Sequence, residues 1–169
     1  MVVIGDALRL LLFPALMAFA ATSDLVTMTI SNRISIALAA AFLILAVVTG
    51  MTPVAIGWHL AAGVLVLAFG FAFFAFGWIG GGDAKLAAAI ALWLGFDYLL
   101  PYLVYASLLG GLLTFAMIQF RLFPLPKILA RPWIMRLHEK DAGVPYGIAL
   151  AAAALLVYPQ TGWMSALAH

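Results

Sequence analysis

Six stretches of this chain, at about residues 4–22, 34–48, 54–78, 85–100, 102–120 and 144–157, carry little but hydrocarbon side chains, and that leaves few folds open. A helix needs roughly 20 predominantly apolar residues to cross a bilayer, and half of these runs approach or exceed that length. Hydrophobic residues make up 67% of the chain and charged residues 8%, with a mean hydropathy of +1.21. Soluble domains carry about 25% charged residues. The sequence therefore predicts an all-α polytopic membrane protein, a bundle of about six transmembrane helices forming one domain over residues 1–169. Any active site must then be built from the helices and their short connections. The first run also resembles a signal peptide at Ala18-Phe19-Ala20, but Asp6 stands where such a segment carries basic residues.

Absences narrow the chemistry. Cysteine is missing, which excludes disulfides, a thiol nucleophile and cysteine-ligated zinc. His59, His138 and His169 are scattered without metal-ligand spacing. The expectation is no metal and no cofactor, and no nucleic-acid partner, since no nucleotide or nucleic-acid motif is present. No histidine sits near a serine or threonine in the pattern of a catalytic triad.

The polar breaks carry the remaining information. The first is Ser23-Asp24 through Ile30-Ser31-Asn32-Arg33, and Thr49–Pro53 is a short turn. Gly80-Gly81-Gly82-Asp83-Ala84-Lys85 opens the fourth run, and Pro101 divides the fourth from the fifth. Small residues recur at Ala87, Ala91 and Gly95, and again at Ser107 and Gly111, a spacing that lets helices approach closely. The stretch from Arg121 to Gly143 holds Arg121, Lys127, Arg131, Arg136 and Lys140. Pro124, Pro126 and Pro132 argue against one continuous helix there. A shorter amphipathic piece anchored by Trp133 at the membrane surface is expected. If the helices alternate in direction, three breaks share one side, and every lysine and arginine except Arg9 lies in or beside them. The positive-inside rule makes that side cytoplasmic and puts both termini outside. Asp24 and Asp83 then meet at the cytoplasmic face.

An ionisable group at membrane depth costs on the order of 3 kcal/mol on insertion scales, so it faces a bundle interior or a wet cavity and is a functional hypothesis by default. Two carboxylates held close together cannot both ionise easily and can share a proton. The ionised member can take a proton from water while the protonated one polarises a peptide carbonyl, which is general acid–base hydrolysis. Each residue has a plainer reading as well. Asp83 can serve as a helix N-terminal acid after a glycine turn, and Asp24 as a solvated loop cap. Lys85 can snorkel to the surface or serve the acid pair or a substrate carbonyl, and Asn32 can cap the loop. Gly80, Gly81 and Gly82 are expected to supply backbone freedom. Asp6, Asp97 and His59 read as interfacial residues on the opposite side.

These residues carry a resemblance. Gly80-Gly81-Gly82-Asp83 resembles the Gly-x-Gly-Asp motif of aspartic intramembrane-type proteases, and Ala84-Lys85-Leu86 continues it as in prepilin peptidases. Asp24 followed by Ile30-Ser31-Asn32 is similar to their first catalytic segment, with serine at 31 where proline is usual. Val144-Pro145-Tyr146-Gly147 and the short length most resemble the short prepilin peptidases of tight-adherence (Flp) pilus systems. The resemblance implies a multi-pass protein of the inner (plasma) membrane with Asp24 and Asp83 as the catalytic pair. Gly80, Gly82, Lys85, Asn32, Pro145 and Tyr146 would support the pair or bind substrate. It implies removal of a prepilin leader at the cytoplasmic face, with the prepilin's transmembrane segment and membrane lipid as partners. It also implies no N-methyltransferase activity, because the soluble domain of the long bifunctional members is missing. Three rivals are a different Gly-x-Gly-Asp protease, a non-catalytic subunit of a pilus or secretion assembly, and an ion-coupled transporter. The last should place its acids at the midplane of a repeat.

Overall fold

The computed structural model describes residues 2–126, 128 and 130–165, with the side chains of residues 2–9 and 165 outside the description. Lys127 and His169, and the side chains of Asp6 and Arg9, therefore lie outside the described residues. The chain order is α1 (Val2–Thr27), α2 (Asn32–Val48), α3 (Pro53–Ala75), α4 (Gly81–Leu122), α5 (Pro132–His138), α6 (Tyr146–Val157), a 3-10 turn (Tyr158–Gln160) and α7 (Gly162–Ser165). No strand occurs among the described residues. Leu10–Thr27, Pro53–Ala75 and Gly81–Leu122 are long and apolar enough to cross a membrane, and Asn32–Val48 and Tyr146–Gln160 are shorter apolar stretches. The protein is an all-α membrane protein. Large apolar side chains turned outward on α3, among them Val64, Phe69, Phe71 and Phe74, would be costly to expose to water but suit a lipid surface.

The 42-residue α4 is not one straight rod. Gly95 inside it has φ 65° and ψ −175°, a backbone state that glycine alone adopts readily. The Tyr146 ring packs against Gly110, its hydroxyl bonds Thr114 at 2.8 Å, and it lines one cavity together with Asp83 and Ala87. A straight helix would hold residues 83 and 110 roughly 40 Å apart at 1.5 Å per residue. The chain therefore doubles back at Gly95, and residues 81–94 and 96–122 form two antiparallel arms. Six apolar helical segments result, as expected, but the break falls at Gly95 and not at Pro101. Pro101 lies inside the second arm, beyond its first turn, where it costs the helix one internal bond without ending it.

A reversal this tight strands the last carbonyls of the first arm, which have no intrahelical partner. His59 of α3 meets the Leu92 carbonyl through Nδ1 at 2.8 Å, and Trp163 of α7 donates its indole N–H to the Trp93 carbonyl at 2.9 Å. Because a carbonyl only accepts, His59 carries its proton on Nδ1 here. His59 is thus a cap for the reversal, with its ring against Gly95, a contact that its position in the sequence did not suggest.

The first arm of α4 is the buried axis of the bundle. Leu86, Ile90 and Trp93 are enclosed by Phe13 and Met17 of α1, Leu38 and Phe42 of α2, and Ala151, Ala154 and Val157 of α6. On the α3 side, Gly63 faces Ala88 and Leu92, and Gly70 faces Ala84, at distances where an added Cβ would stand 3.0–3.3 Å from its neighbours. Small residues on both sides let these backbones touch. The expected second stripe does not pack in this way. Gly111 has open space beside it and Ser107 is exposed, while Gly110 is the buried contact.

Candidate functional site

Asp24 lies inside α1, not in the loop that its polar neighbourhood suggested. The helix continues through Ser23–Thr27 because the hydroxyls turn inward onto their own helix: Thr22 Oγ1 donates to the Ala18 carbonyl and Thr27 Oγ1 to that of Ser23. Met28 then ends it in the left-handed region, at φ 54°. Ser23 and Thr27 hydroxyls reach the Thr29 carbonyl across this turn and hold it. Ser31 follows at φ −65° and ψ 138°, a conformation that proline would also adopt, and its hydroxyl accepts the Arg33 N–H at the start of α2.

Asp24 is 4% exposed, and its Oδ2 accepts the backbone N–H of Gly147 at 2.7 Å. Gly147 is the second residue of α6, so this carboxylate caps a helix N-terminus, where partial positive charge and unpaired N–H groups gather. Buried Pro145 sets the entry to that helix. Asp83 stands in the equivalent place on α4. Gly80 is the N-cap, Asp83 is the third helical residue, and its carboxylate takes the Gly80 N–H, as in one half of a capping box. The start of α6 links the two acids: Gly147 donates to Asp24, and its neighbour Tyr146 lines the same cavity as Asp83. Asp24 thus projects from the last turn of α1 and Asp83 from the first turn of α4, and each carboxylate accepts an N–H at the start of a helix.

The glycines do not work as expected. None of Gly80, Gly81 and Gly82 has a positive φ. Their role is close approach: a Cβ on Gly82 would stand 3.1 Å from Ile30 Cβ, and one on Gly80 would stand 2.8 Å from Asp83 Oδ2. Gly147 is tighter still, with an added Cβ 2.7 Å from both Asp24 Oδ2 and Ile30 Cδ1. Ile30 therefore packs between the glycine that precedes Asp83 and the glycine that holds Asp24. The sequence motifs contain both Gly147 and Ile30, but neither carries a role of its own there. The available signal was a Pro-Tyr-Gly helix start beside the polar loop.

Asp83 lines a cavity of about 290 Å³ with Trp78, Ile79, Ala87, Tyr146 and Leu150. Tyr146 is fixed there by its bond to Thr114, so it forms a wall of the Asp83 cavity. Lys85 and Asn32 come together elsewhere. Lys85 Nζ donates to Asn32 Oδ1 at 2.9 Å, at one end of an apolar groove of about 410 Å³ between α2, α3 and the first arm. Two residues along one helix, Asp83 and Lys85 thus line different spaces. Among the residues whose side chains are described, no group of three or more His, Cys, Asp or Glu could hold a metal ion.

The basic loop is anchored to the site. Arg121 donates to the carbonyls of Leu137 and Gly143 at 2.9 and 2.7 Å, and so connects α4, α5 and the approach to α6. Arg136 donates to the Val26 carbonyl at 3.2 Å, near the C-terminus of α1, where a cation suits the helix dipole. The amphipathic piece is the seven-residue α5, with Leu137 turned in and Trp133 and Met135 turned out.

Fold and site together define a helical membrane protein with two acids converging at one end of its bundle. Residues 11–115, a span that includes Asp24 and Asp83, match the profile of the type IV leader peptidase family, and the chain belongs to that family. It is a protease of the leader-peptidase kind. No curated protein and no solved structure matches the chain.

Proposed function

We propose that the protein is an aspartic endopeptidase of the inner membrane, crossing it several times, that removes the leader of a type IV, Flp-type prepilin at the cytoplasmic face. The observation that carries this reading is the convergence of Asp24 and Asp83, from segments distant in sequence, at one end of the bundle around the start of α6 and Ile30. Arg33, Lys85, Arg121 and Arg136 cluster at that end too, which supports a cytoplasmic orientation.

In this mechanism one carboxylate is ionised and the other protonated, the proton belonging to the pair. The ionised acid takes a proton from water as the water oxygen bonds to the scissile carbonyl carbon. The protonated acid gives its proton to the carbonyl oxygen, leaving a neutral tetrahedral diol. Collapse of the diol breaks the C–N bond, the amine leaves with one proton, and the pair returns to its starting state. The apolar groove beside α2 and α3 supports docking of the substrate's transmembrane helix from the lipid, with Lys85 and Asn32 at its mouth to meet the polar leader.

The test is co-expression with an Flp-type prepilin, following the mobility and N-terminal sequence of the pilin. Asp24→Asn and Asp83→Asn keep the shape but cannot take up the proton, so cleavage should fall at least about 100-fold in each while the proteins remain in the membrane. Wild-type cleavage by either variant refutes the aspartyl mechanism. Pilus assembly that survives both substitutions would instead assign the chain a non-catalytic role.

A further inference from the structure

Another cavity, of about 370 Å³, lies at the end of the bundle opposite the acids, where the α2–α3 turn, His59 of α3, the reversal at Gly95 and α7 come together. That volume falls in the range of small-molecule sites, about 300–1,000 Å³. Nothing in the peptidase chemistry uses it. Its polar side chains have a one-sided character. Trp93 donates its indole N–H to the Leu38 carbonyl at 2.9 Å, and Trp163 donates to that of Trp93. The hydroxyls of Thr49 and Thr161 donate to the carbonyls of Ala46 and Tyr158. His59 gives its one ring proton to the Leu92 carbonyl, so its other nitrogen can only accept. These donors are all turned into the protein, and what is left for a guest is acceptors. Asp97, the cavity's one carboxylate, is the strongest of them, and Tyr98 adds a hydroxyl that accepts as well as donates.

The rim of the cavity indicates its depth. Trp58 and Phe96, next in sequence to His59 and Asp97, are exposed and meet edge to face with ring centroids 6.0 Å apart. Exposed tryptophan in a membrane protein gathers at the level of the lipid headgroups. Acceptors, a carboxylate and aromatic surface at that depth suit a cation that carries several N–H groups, and they disfavour a bare anion. We propose that this cavity binds a primary ammonium group, as carried by an aminophospholipid headgroup or a small free amine, with Asp97 as its counter-ion and His59 and Tyr98 as further acceptors. The three N–H bonds of such a group match the three acceptors. A guest held there ties α3 to the second arm of α4 and so braces the reversal at Gly95. The site is independent of the acid pair and of the aspartyl reading above.

The test is thermal unfolding of wild type, Asp97→Asn and Tyr98→Phe, purified in one detergent and titrated with phosphatidylethanolamine, phosphatidylglycerol or ethanolamine. Asp97 is exposed and Tyr98 half-buried, so both variants should fold. Phosphatidylethanolamine should raise the wild-type Tm saturably, by about 3 °C or more, because a ligand that binds only the folded state stabilises it. Phosphatidylglycerol, which has no ammonium group, should not. Asp97→Asn should raise the amount of lipid needed for half the effect at least about 10-fold, the loss of one hydrogen bond to a charged group. Tyr98→Phe should raise it about 2- to 10-fold. An equal, Asp97-dependent rise with ethanolamine would support the site with a free amine as its guest, and a rise with the lipid alone would support it with a headgroup. No difference between the two lipids, together with no response to ethanolamine, would overturn the proposal. So would a phosphatidylethanolamine response of the same size and midpoint in Asp97→Asn as in wild type, since the lipid would then act on the bundle as a whole.

Discussion

Gly147→Ala should disable the enzyme with a single methyl group. An alanine Cβ at this position would stand 2.7 Å from Asp24 Oδ2, 2.7 Å from Ile30 Cδ1 and 3.1 Å from Asp24 Cβ. Carbon–oxygen contacts settle at about 3.3–3.6 Å, so the carboxylate must retreat by roughly 0.6–0.9 Å if the backbone holds still. The Gly147 N–H to Oδ2 bond, now 2.7 Å, would stretch or break with that movement. A hydrogen bond to a charged group is worth about 1.5–3 kcal/mol, and a 1 Å misplacement in a catalytic constellation can cost about 100-fold in rate. The expected result is a loss of leader cleavage of about 100-fold. Forcing a methyl into packed surroundings should also lower stability by about 1–3 kcal/mol, read by thermal unfolding in detergent. Gly111→Ala is the control, because nothing lies within 4 Å of its added Cβ, and it should cleave as wild type does. A folded Gly147→Ala enzyme cleaving at the wild-type rate would refute the claim that this backbone contact positions Asp24.

Gly95→Ala puts a side chain on a residue at φ 65° with the His59 ring 3.0 Å from the new Cβ, so unfolding should come at least about 1–2 kcal/mol earlier; unchanged thermal stability would mean that the turn is not strained by a side chain. Ser31→Pro fits the observed φ of −65° but gives up the hydroxyl cap on Arg33 N–H, and the two effects, each near 1 kcal/mol, should leave thermal stability and cleavage close to wild type. Lys85→Met removes the bond to Asn32 at the mouth of the apolar groove, and a rise in KM with little change in kcat on a leader-bearing substrate is expected; a fall in kcat alone would place Lys85 with the acids.

Much of the architecture was legible because bilayer chemistry is written in composition. The apolar runs identified the helical segments, and the polar breaks placed Asp24 and Asp83 at one end. What could not be read there was decided by competition between local signals. Ser23–Thr27 reads as a break until the hydroxyls of Thr22 and Thr27 bond back to their own helix. Pro101 reads as the stronger helix breaker, yet a reversal needs a positive φ, which Gly95 supplies and proline cannot. The glycines before Asp83 read as sources of backbone freedom, but their value lies in the missing Cβ. Gly147 on Asp24 is a contact across 123 positions of sequence, and no local pattern announces it.

Ile30 sits where one side chain touches the supports of both acids. A β-branched side chain has few rotamers, and the two surfaces it meets, Gly82 and Gly147, have no side chains of their own to adjust. The spacing of the acid pair is therefore gauged by the girth of a single isoleucine, as a shim sets the gap between two jaws. Shaving a methylene from it would let the jaws drift, and thickening it would wedge them open. Selection on the separation of the acids can act through this short turn without touching either acid.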